Sequence, residues 1–319
     1  MPCMPSRPSS VSGLSRYVSK RLLTTLFMPV AAAFIVFGMM RLLPGDPARI
    51  VAGIYATEPE VAHIRAQLGL DQPVPVQFVR FLERLAHGDA GTSIRTSQPV
   101  LQEIGARLPA TLQLAVISTV LASIVGVVVG VVCARRPNSL LDYLFSFGSL
   151  VGVSMPVYWL GLLLIILFAV RLQWLPAAGN DLPGSIILPA VTAAAFSIAL
   201  VARMTRASML EVLQQDYIRT VRAKGLSPAS VIYKHALRNA AIPVLTVIGL
   251  QFGTFLGGSV LIESVFAWPG MGLLLLDSIF ARDYPVVQGI VLIYAVLVIL
   301  VNLAVDLLYA FLDPRIRYD

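Results

Sequence analysis

Few side chains in this sequence have chemistry to offer, and their spacing decides what kind it is. His63, His87 and His235 lie far apart and form no His-Glu-x-x-His zinc pattern. Cys3 stands in an N-terminal tail and Cys133 in an apolar run, which gives neither a disulfide framework nor a metal-ligand spacing. No Gly-x-Ser-x-Gly nucleophile turn occurs, and no Gly-x-x-x-x-Gly-Lys-Ser/Thr loop is present to cradle phosphates. No catalytic residue and no metal site are therefore expected, and any use of ATP must fall to another chain. What remains are polar groups set in apolar runs: Gln251, Asn302 and Asp306. Such groups mark an interior surface or a substrate pathway. Asp306 has a second option, pairing with Arg315 near the end of the chain.

The apolar runs themselves explain why these groups stand out. Of 319 residues, 57% are hydrophobic and 13% charged, and the mean hydropathy is +0.81. That is more apolar surface than one soluble core hides, so the chain belongs in lipid. The expected fold class is all-α, a polytopic membrane protein with about six transmembrane helices. A helix needs about 20 residues to cross roughly 30 Å of hydrocarbon. The runs of that length are approximately Leu22 to Leu43, Thr111 to Ala134, Leu144 to Val170, Ile186 to Val201, Ile242 to Ile262 and Val286 to Leu312. The first ends in Met-Met-Arg without a small-residue cleavage site, so it reads as an uncleaved anchor.

The net charge of +7 does not point to nucleic acid, because the basic residues lie between apolar runs and form no aromatic-interleaved patch. They set orientation instead. Arg16, Lys20 and Arg21 precede the first run; Arg135 and Arg136 follow the second; Arg203, Arg206, Arg219, Arg222, Lys224, Lys234 and Arg238 lie between the fourth and fifth; Arg315 and Arg317 close the chain. All fall on one side, which is expected to be cytoplasmic with both termini. The domain plan is then a cytoplasmic tail over 1–21, a first transmembrane helix over 22–43, an extracytoplasmic loop over 44–107, a five-helix core over 108–312 and a tail over 313–319.

Two segments outside the runs carry most of the information. In 44–107, Thr57 followed by Glu60 makes a capping box, and the run to Leu68 ends at Gly69, so a short surface helix is expected. The segment reads either as a solvated loop or as a docking surface over a pore mouth. In 207–239, Gly225 after Lys224 is a helix stop, while Ser227 and Pro228 supply a cap and a first-turn proline for a second helix. A helix, a glycine turn and a helix make more than a simple reversal needs, so a partner surface is expected. Within the membrane, Gly249, Gly253 and Gly257 recur every fourth residue, as do Gly126 and Gly130. These stripes let helices approach closely.

The hairpin from Asp216-Tyr-Ile-Arg-Thr220 through Arg222-Ala-Lys-Gly-Leu226 to His235-Ala-Leu-Arg-Asn239 resembles the EAA-type loop of ABC importer permeases in the dipeptide, oligopeptide and nickel family. Arg219, Thr220 and Val221 occupy the Glu-Ala-Ala places, and Gly225 the loop's glycine. His235-Ala-Leu-Arg238 departs from the broad Ile-x-Leu-Pro pattern and is similar to the peptide subfamily. The likeness continues through Leu43-Pro-Gly-Asp-Pro47, Leu68-Gly-Leu-Asp-Gln-Pro73, Gly88-Asp-Ala-Gly-Thr-Ser93, Arg107-Leu-Pro-Ala-Thr-Leu112, Trp174-Leu-Pro176, Val265-Phe-Ala-Trp-Pro-Gly-Met-Gly272, Arg282-Asp-Tyr-Pro285 and Asp313-Pro-Arg-Ile-Arg317, in family order.

The resemblance implies a type-1 ABC transmembrane fold in a bacterial cytoplasmic (inner) membrane and an importer for dipeptides or oligopeptides, with glutathione and nickel chelates as alternatives. It implies a second, homologous permease as heterodimer partner, two ABC ATPases carrying ATP-Mg, and an extracytoplasmic solute-binding protein. No cofactor is bound by the chain itself. Asp216, Tyr217, Arg219, Thr220, Arg222, Ala223, Lys224, Gly225, Leu226, His235, Leu237, Arg238 and Asn239 would form the ATPase-coupling loop. Gly249, Gln251, Gly253, Gly257, Asn302 and Asp306 would pack helices or line the path. Glu263, Phe266, Pro269, Gly270 and Gly272 would contact the binding protein or form a gate. A secondary transporter, which needs ion sites at broken mid-membrane helices, would leave the hairpin unexplained.

Overall fold

The computed structural model describes residues 27–38, 46–53, 55–67 and 69–312. Both tails, the ends of the expected first span and the side chain of Asp306 lie outside the described residues, as do Arg16, Lys20, Arg21, Arg315 and Arg317. Among the described residues the regular structure is helical, with one isolated β-bridge between Thr92 and Pro99. Two compact units divide the chain: residues 1–89 with 291–319, and residues 90–290.

The first unit holds α1 (Phe27–Gly38), α2 (Pro47–Ala52), α3 (Glu58–Gln67) and α4 (Val74–Ala86). The expected capping box forms at α3: Thr57 donates its backbone N–H to Glu60 at 2.7 Å and its hydroxyl at 2.9 Å. Those two donors hold the Glu60 carboxyl below the usual carboxylate range. Gly69 ends the segment at φ 66, a left-handed conformation that favours glycine. Helix α4 turns its apolar stripe onto α1, where Phe78 meets Phe34 and Phe37 at 5.4 and 5.1 Å between ring centres and Phe37 stacks on Phe81 at 5.7 Å.

The second unit is built around α5 (Val100–Arg135), α6 (Leu140–Ser154), α7 (Val157–Leu164, continued as a π-helix over Ile165–Arg171), α8 (Ile187–Leu213), α9 (Asp216–Ala223), α10 (Leu237–Val265) and α11 (Met271–Phe280). Helix α12 (Tyr284–Leu312) starts in this unit and continues in the first. Among the described residues, four helical stretches are long and apolar enough to cross a membrane: α5, α8, Ser230–Val265 and Tyr284–Val305. Helix α5 starts at Val100, well before the expected Thr111, and α8 runs to Leu213, well past the expected Val201. With 36 residues, α5 is about 54 Å long at roughly 1.5 Å per residue, longer than the hydrocarbon it crosses. Its first turns therefore project beyond the lipid.

The span expected over Leu144 to Val170 is two helices, α6 and the α7 stretch, bent by 105° at Met155–Pro156. Pro156 lacks the N–H that would continue the α6 ladder, and its ring disfavours helical backbone at Met155, whose ψ is 127. The bend opens a recess of about 610 Å³ lined by Leu150, Val151, Ser154, Met155, Pro156, Tyr158 and Trp159.

Close approach of α5 to α8 is the densest packing in this unit, and its cause is the Gly126/Gly130 stripe. A Cβ on Gly130 would lie 2.5 Å from Thr205 Cβ and 2.6 Å from the Ala202 carbonyl; one on Gly126 would lie 2.7 Å from Val201 Cβ. The second stripe behaves differently. Gly253 is buried, but Gly257 is exposed and a Cβ there meets nothing within 4 Å. Among the described residues, the packing expected of Gly257 is thus not made. Gly130→Val is expected to force the helices apart and cost about 1–3 kcal/mol, the usual penalty for overpacking, whereas Gly257→Ala is expected to leave the thermal midpoint of the isolated chain unchanged. Thermal unfolding in detergent, followed by size-exclusion fluorescence, separates the two.

Candidate functional site: a docked basic hairpin

The hairpin folds from the local signals in its sequence. Helix α9 closes at Lys224, whose N–H donates to the Thr220 carbonyl at 3.1 Å. Gly225 then takes φ 77, a backbone conformation that costs an ordinary side chain strain. Ser227 caps the returning helix by accepting the Ser230 N–H at 3.3 Å. That helix begins at Pro228 and winds as a π-helix over Ser230–Ala236 before entering α10 without a break. The π register was not legible in the sequence.

One face of the hairpin is fastened. Ile218, Val231, Ala236 and Ala240 close a core with Val131 and Ala134 of α5 and Met209 and Val212 of α8. Ile218 is 0% exposed, and a fully buried side chain of this size contributes about 1.5–3 kcal/mol. A polar staple joins the two arms: the Asn239 amide donates to the Tyr217 hydroxyl at 2.6 Å and to the His235 carbonyl at 3.2 Å. His235 enters through its backbone, not its ring. Leu237 packs against the same core.

The other face is open. Asp216, Arg219, Thr220, Arg222, Ala223, Lys224, Gly225, Leu226 and Arg238 are all exposed, as are Tyr233 and Lys234. Arg219 reaches Asp216 at 3.6 Å, with both side chains largely in solvent; such pairs contribute about 0–1 kcal/mol. The thirteen residues assigned to this loop therefore divide between fastening (Tyr217, His235, Leu237, Asn239) and presentation (the rest). A rigid, basic surface is held out from the helix bundle with its shape fixed before anything binds it.

At the far end of α10, about 40 Å away by roughly 1.5 Å per residue, the second residue group forms a clamp. Glu263 is 0% exposed and accepts hydrogen bonds from the Thr111 hydroxyl at 2.8 Å, the Gly272 N–H at 2.7 Å and the Leu273 N–H at 3.1 Å. The Thr111 oxygen in turn accepts the Met271 N–H at 2.8 Å. Together they cap the first turn of α11, whose own N-cap, Gly270, has no side chain to do so. A Cβ on Gly270 would lie 2.3 Å from the Glu263 carboxylate, and one on Gly272 would lie 2.7 Å from Val260 Cα, so both glycines are required by the close approach. Trp268 Nε1 donates to the Ala110 carbonyl at 2.9 Å, and Gly179 N–H donates to the Phe266 carbonyl at 2.9 Å.

The five residues expected at a binding-protein contact or a gate are enclosed within the fold: Glu263, Phe266, Gly270 and Gly272 are buried and Pro269 half-buried. They hold α5, α10, α11 and the loop at Gly179 together as one block. A similar knot missed by the sequence reading lies nearby in chain order: buried Asp283 accepts from the Ser93 hydroxyl, from Ile94 N–H at 3.1 Å and from Arg95 N–H at 3.2 Å. Its signal was present in Arg282-Asp-Tyr-Pro285, but the partner lies far away in the chain.

Of the remaining candidates, Gln251 donates to the Ser197 hydroxyl at 3.0 Å between α10 and α8. Asn302 is half-buried, and Gly249 lies on α10 at intermediate exposure. These groups are not brought together into one cluster with the hairpin. Among the described residues, no group of three metal-ligating side chains converges.

The second unit thus presents a fastened basic hairpin from helices long and apolar enough to cross a membrane. Residues 126–318 match the family described as binding-protein-dependent transport system inner membrane component, and residues 14–115 match its N-terminal region. The chain belongs to that family, and is a membrane-embedded, non-enzymatic permease component whose ATPase is a separate subunit. It is 43% identical to the dipeptide transport system permease protein DppB of Alkalihalophilus pseudofirmus, covering 95% of this chain and 99% of that one. It is 47% identical to the glutathione transport system permease protein GsiC of Salmonella paratyphi A, with the same coverage. A crystal structure of an amino acid ABC transporter with histidines shares the fold, with a TM-score of 0.54 and 17% identity over 66% of this chain and 94% of that chain.

Proposed function

We propose that this permease subunit carries small peptides across the cytoplasmic membrane, working as one half of a heterodimer with a second, homologous permease. The ATPases grip the exposed face around Gly225, and an extracytoplasmic binding protein delivers the substrate. The observation that supports the reading is the hairpin: one face locked to α5 and α8 through Ile218, Val231 and Ala236, the other face basic and open. Nucleotide-driven closure of the ATPases can then displace the helices themselves, because the hairpin cannot move without α8. The names of the relatives favour dipeptides and glutathione, itself a tripeptide, over nickel chelates. The exposed stripe of α10 that includes Thr254, Gly257 and Gly258 is assigned to the substrate path or to the second permease. The segment 44–107 is assigned to the extracytoplasmic side.

Two measurements test this. Uptake in membrane vesicles over a panel of dipeptides, tripeptides, glutathione and nickel complexes is expected to show saturable, ATP-dependent transport of peptides; transport of nickel complexes alone would sink the peptide assignment. Lys224 is expected to react with an impermeant amine reagent only in inside-out vesicles. Labelling of Lys224 from outside intact cells would invert the topology and end the coupling assignment.

A further inference from the structure

A second knot of side chains lies beside the hairpin's core and belongs to neither the hairpin nor the clamp. Asp142, in the first turn of α6, is 2% exposed. Its two oxygens receive Arg206 of α8 in a bidentate pair, Nε at 2.6 Å and Nη2 at 2.7 Å. Oδ2 also accepts the Asn138 N–H at 3.0 Å, from the turn that joins α5 to α6. Helix α8 and the turn between α5 and α6 thus converge on a single acceptor at the start of α6.

The position of the knot in the chain gives it a use. Arg206 lies one turn before Met209 and two before Val212, the α8 residues that close the hairpin's core. Helix α6 packs mainly against α8 and less against α5, and most of its apolar side chains face outward. The apolar hold on α6 is thin, so the ion pair fixes its position. At its other end α6 reaches the 105° bend and its recess. A bidentate, largely buried guanidinium–carboxylate pair is directional and costly to break.

We propose that the Asp142–Arg206 pair is a strut that makes α6 move with α8 and the hairpin as one body, so that displacement of the hairpin reaches the bend at Met155 and Pro156. Both are positioning residues and neither touches substrate. The proposal rests on the coupling role of the hairpin.

The test uses the complete transporter in proteoliposomes, with peptide uptake and binding-protein-stimulated ATP hydrolysis measured side by side. Asp142→Asn is expected to keep stimulated hydrolysis and to lower peptide moved per ATP by about tenfold, the size of an ordinary coupling term. Asp142→Glu, which keeps the charge, is expected to recover most of the loss. In a chain carrying Cys3→Ser and Cys133→Ser, the pair Asp142→Cys and Arg206→Cys is expected to be uncoupled until a short bifunctional thiol reagent bridges the two positions, which restores uptake per ATP. This readout does not depend on how well a single variant folds. Normal coupling in Asp142→Asn overturns the strut, and so does a bridged pair that stays uncoupled. Gly225→Asp in the same assay separates the two levels: if that variant remains coupled, the hairpin reading itself fails; if it is uncoupled while Asp142→Asn is not, only the strut does.

Discussion

Gly225→Asp is expected to abolish peptide uptake while leaving the protein inserted, folded and abundant. Gly225 holds φ 77, and a Cβ added there meets nothing within 4 Å. The cost to the isolated chain is therefore backbone strain alone, about 1–2 kcal/mol for an L residue in the left-handed region and at the low end for aspartate. The apolar core beneath, with Ile218 and Ala236 at 0% exposure, outweighs that. What changes is the exposed face: a carboxylate appears beside Arg222 and Lys224 at the turn to which the proposed function assigns the ATPase contact. Uptake is expected to fall by about two orders of magnitude, the upper range of a coupling free energy, with the thermal midpoint shifted by only a few degrees, as a ~1 kcal/mol change implies for a domain of this size. Uptake near the wild-type level with intact ATPase stimulation would contradict the coupling role.

The opposite outcome is expected at the clamp. Glu263→Ala removes the acceptor for the Thr111 hydroxyl and for two backbone N–H groups in a buried site. Each donor left unpartnered costs about 1–3 kcal/mol, and the cavity adds to it. The sum of several kcal/mol is comparable to the whole stability of many proteins. Loss of folded protein is expected before any question of transport arises, seen as aggregation in size exclusion and low yield from the membrane. Glu263→Gln keeps the volume and one acceptor oxygen, and is expected to fall between the two. A Glu263→Ala protein with wild-type thermal behaviour would mean that α11 is held by something other than this carboxylate.

The hairpin was legible because its signals are local. A glycine stop, a serine cap and a proline in the first turn lie within a few residues of one another, and Gly225, Ser227 and Pro228 take the places those residue types require. The clamp was not legible, because Glu263 and Thr111 meet across 152 positions of sequence. Read locally, Glu263 is merely an acidic residue at the end of an apolar run. The bend at Met155–Pro156 lay between these cases: the proline was visible, but hydropathy averaged over a span is the same for a straight helix and a broken one. The start of α5 at Val100 was missed because its first turns, with Glu103 and Arg107, are polar and project past the apolar stretch on which span assignment relies. Arg206 was read as one of the basic residues that set orientation and Asp142 was not singled out; only folding makes them a pair.

The way the hairpin is fastened also sets a timetable for biogenesis. Its core takes Val131 and Ala134 from one helix, Met209 and Val212 from another, and Ala240 from the helix that follows. A nascent chain synthesised as far as Arg238 holds every basic residue of the exposed face but lacks the last wall of its support. That face gains its full support only once the first turn of α10, which carries Ala240, has folded against α5 and α8.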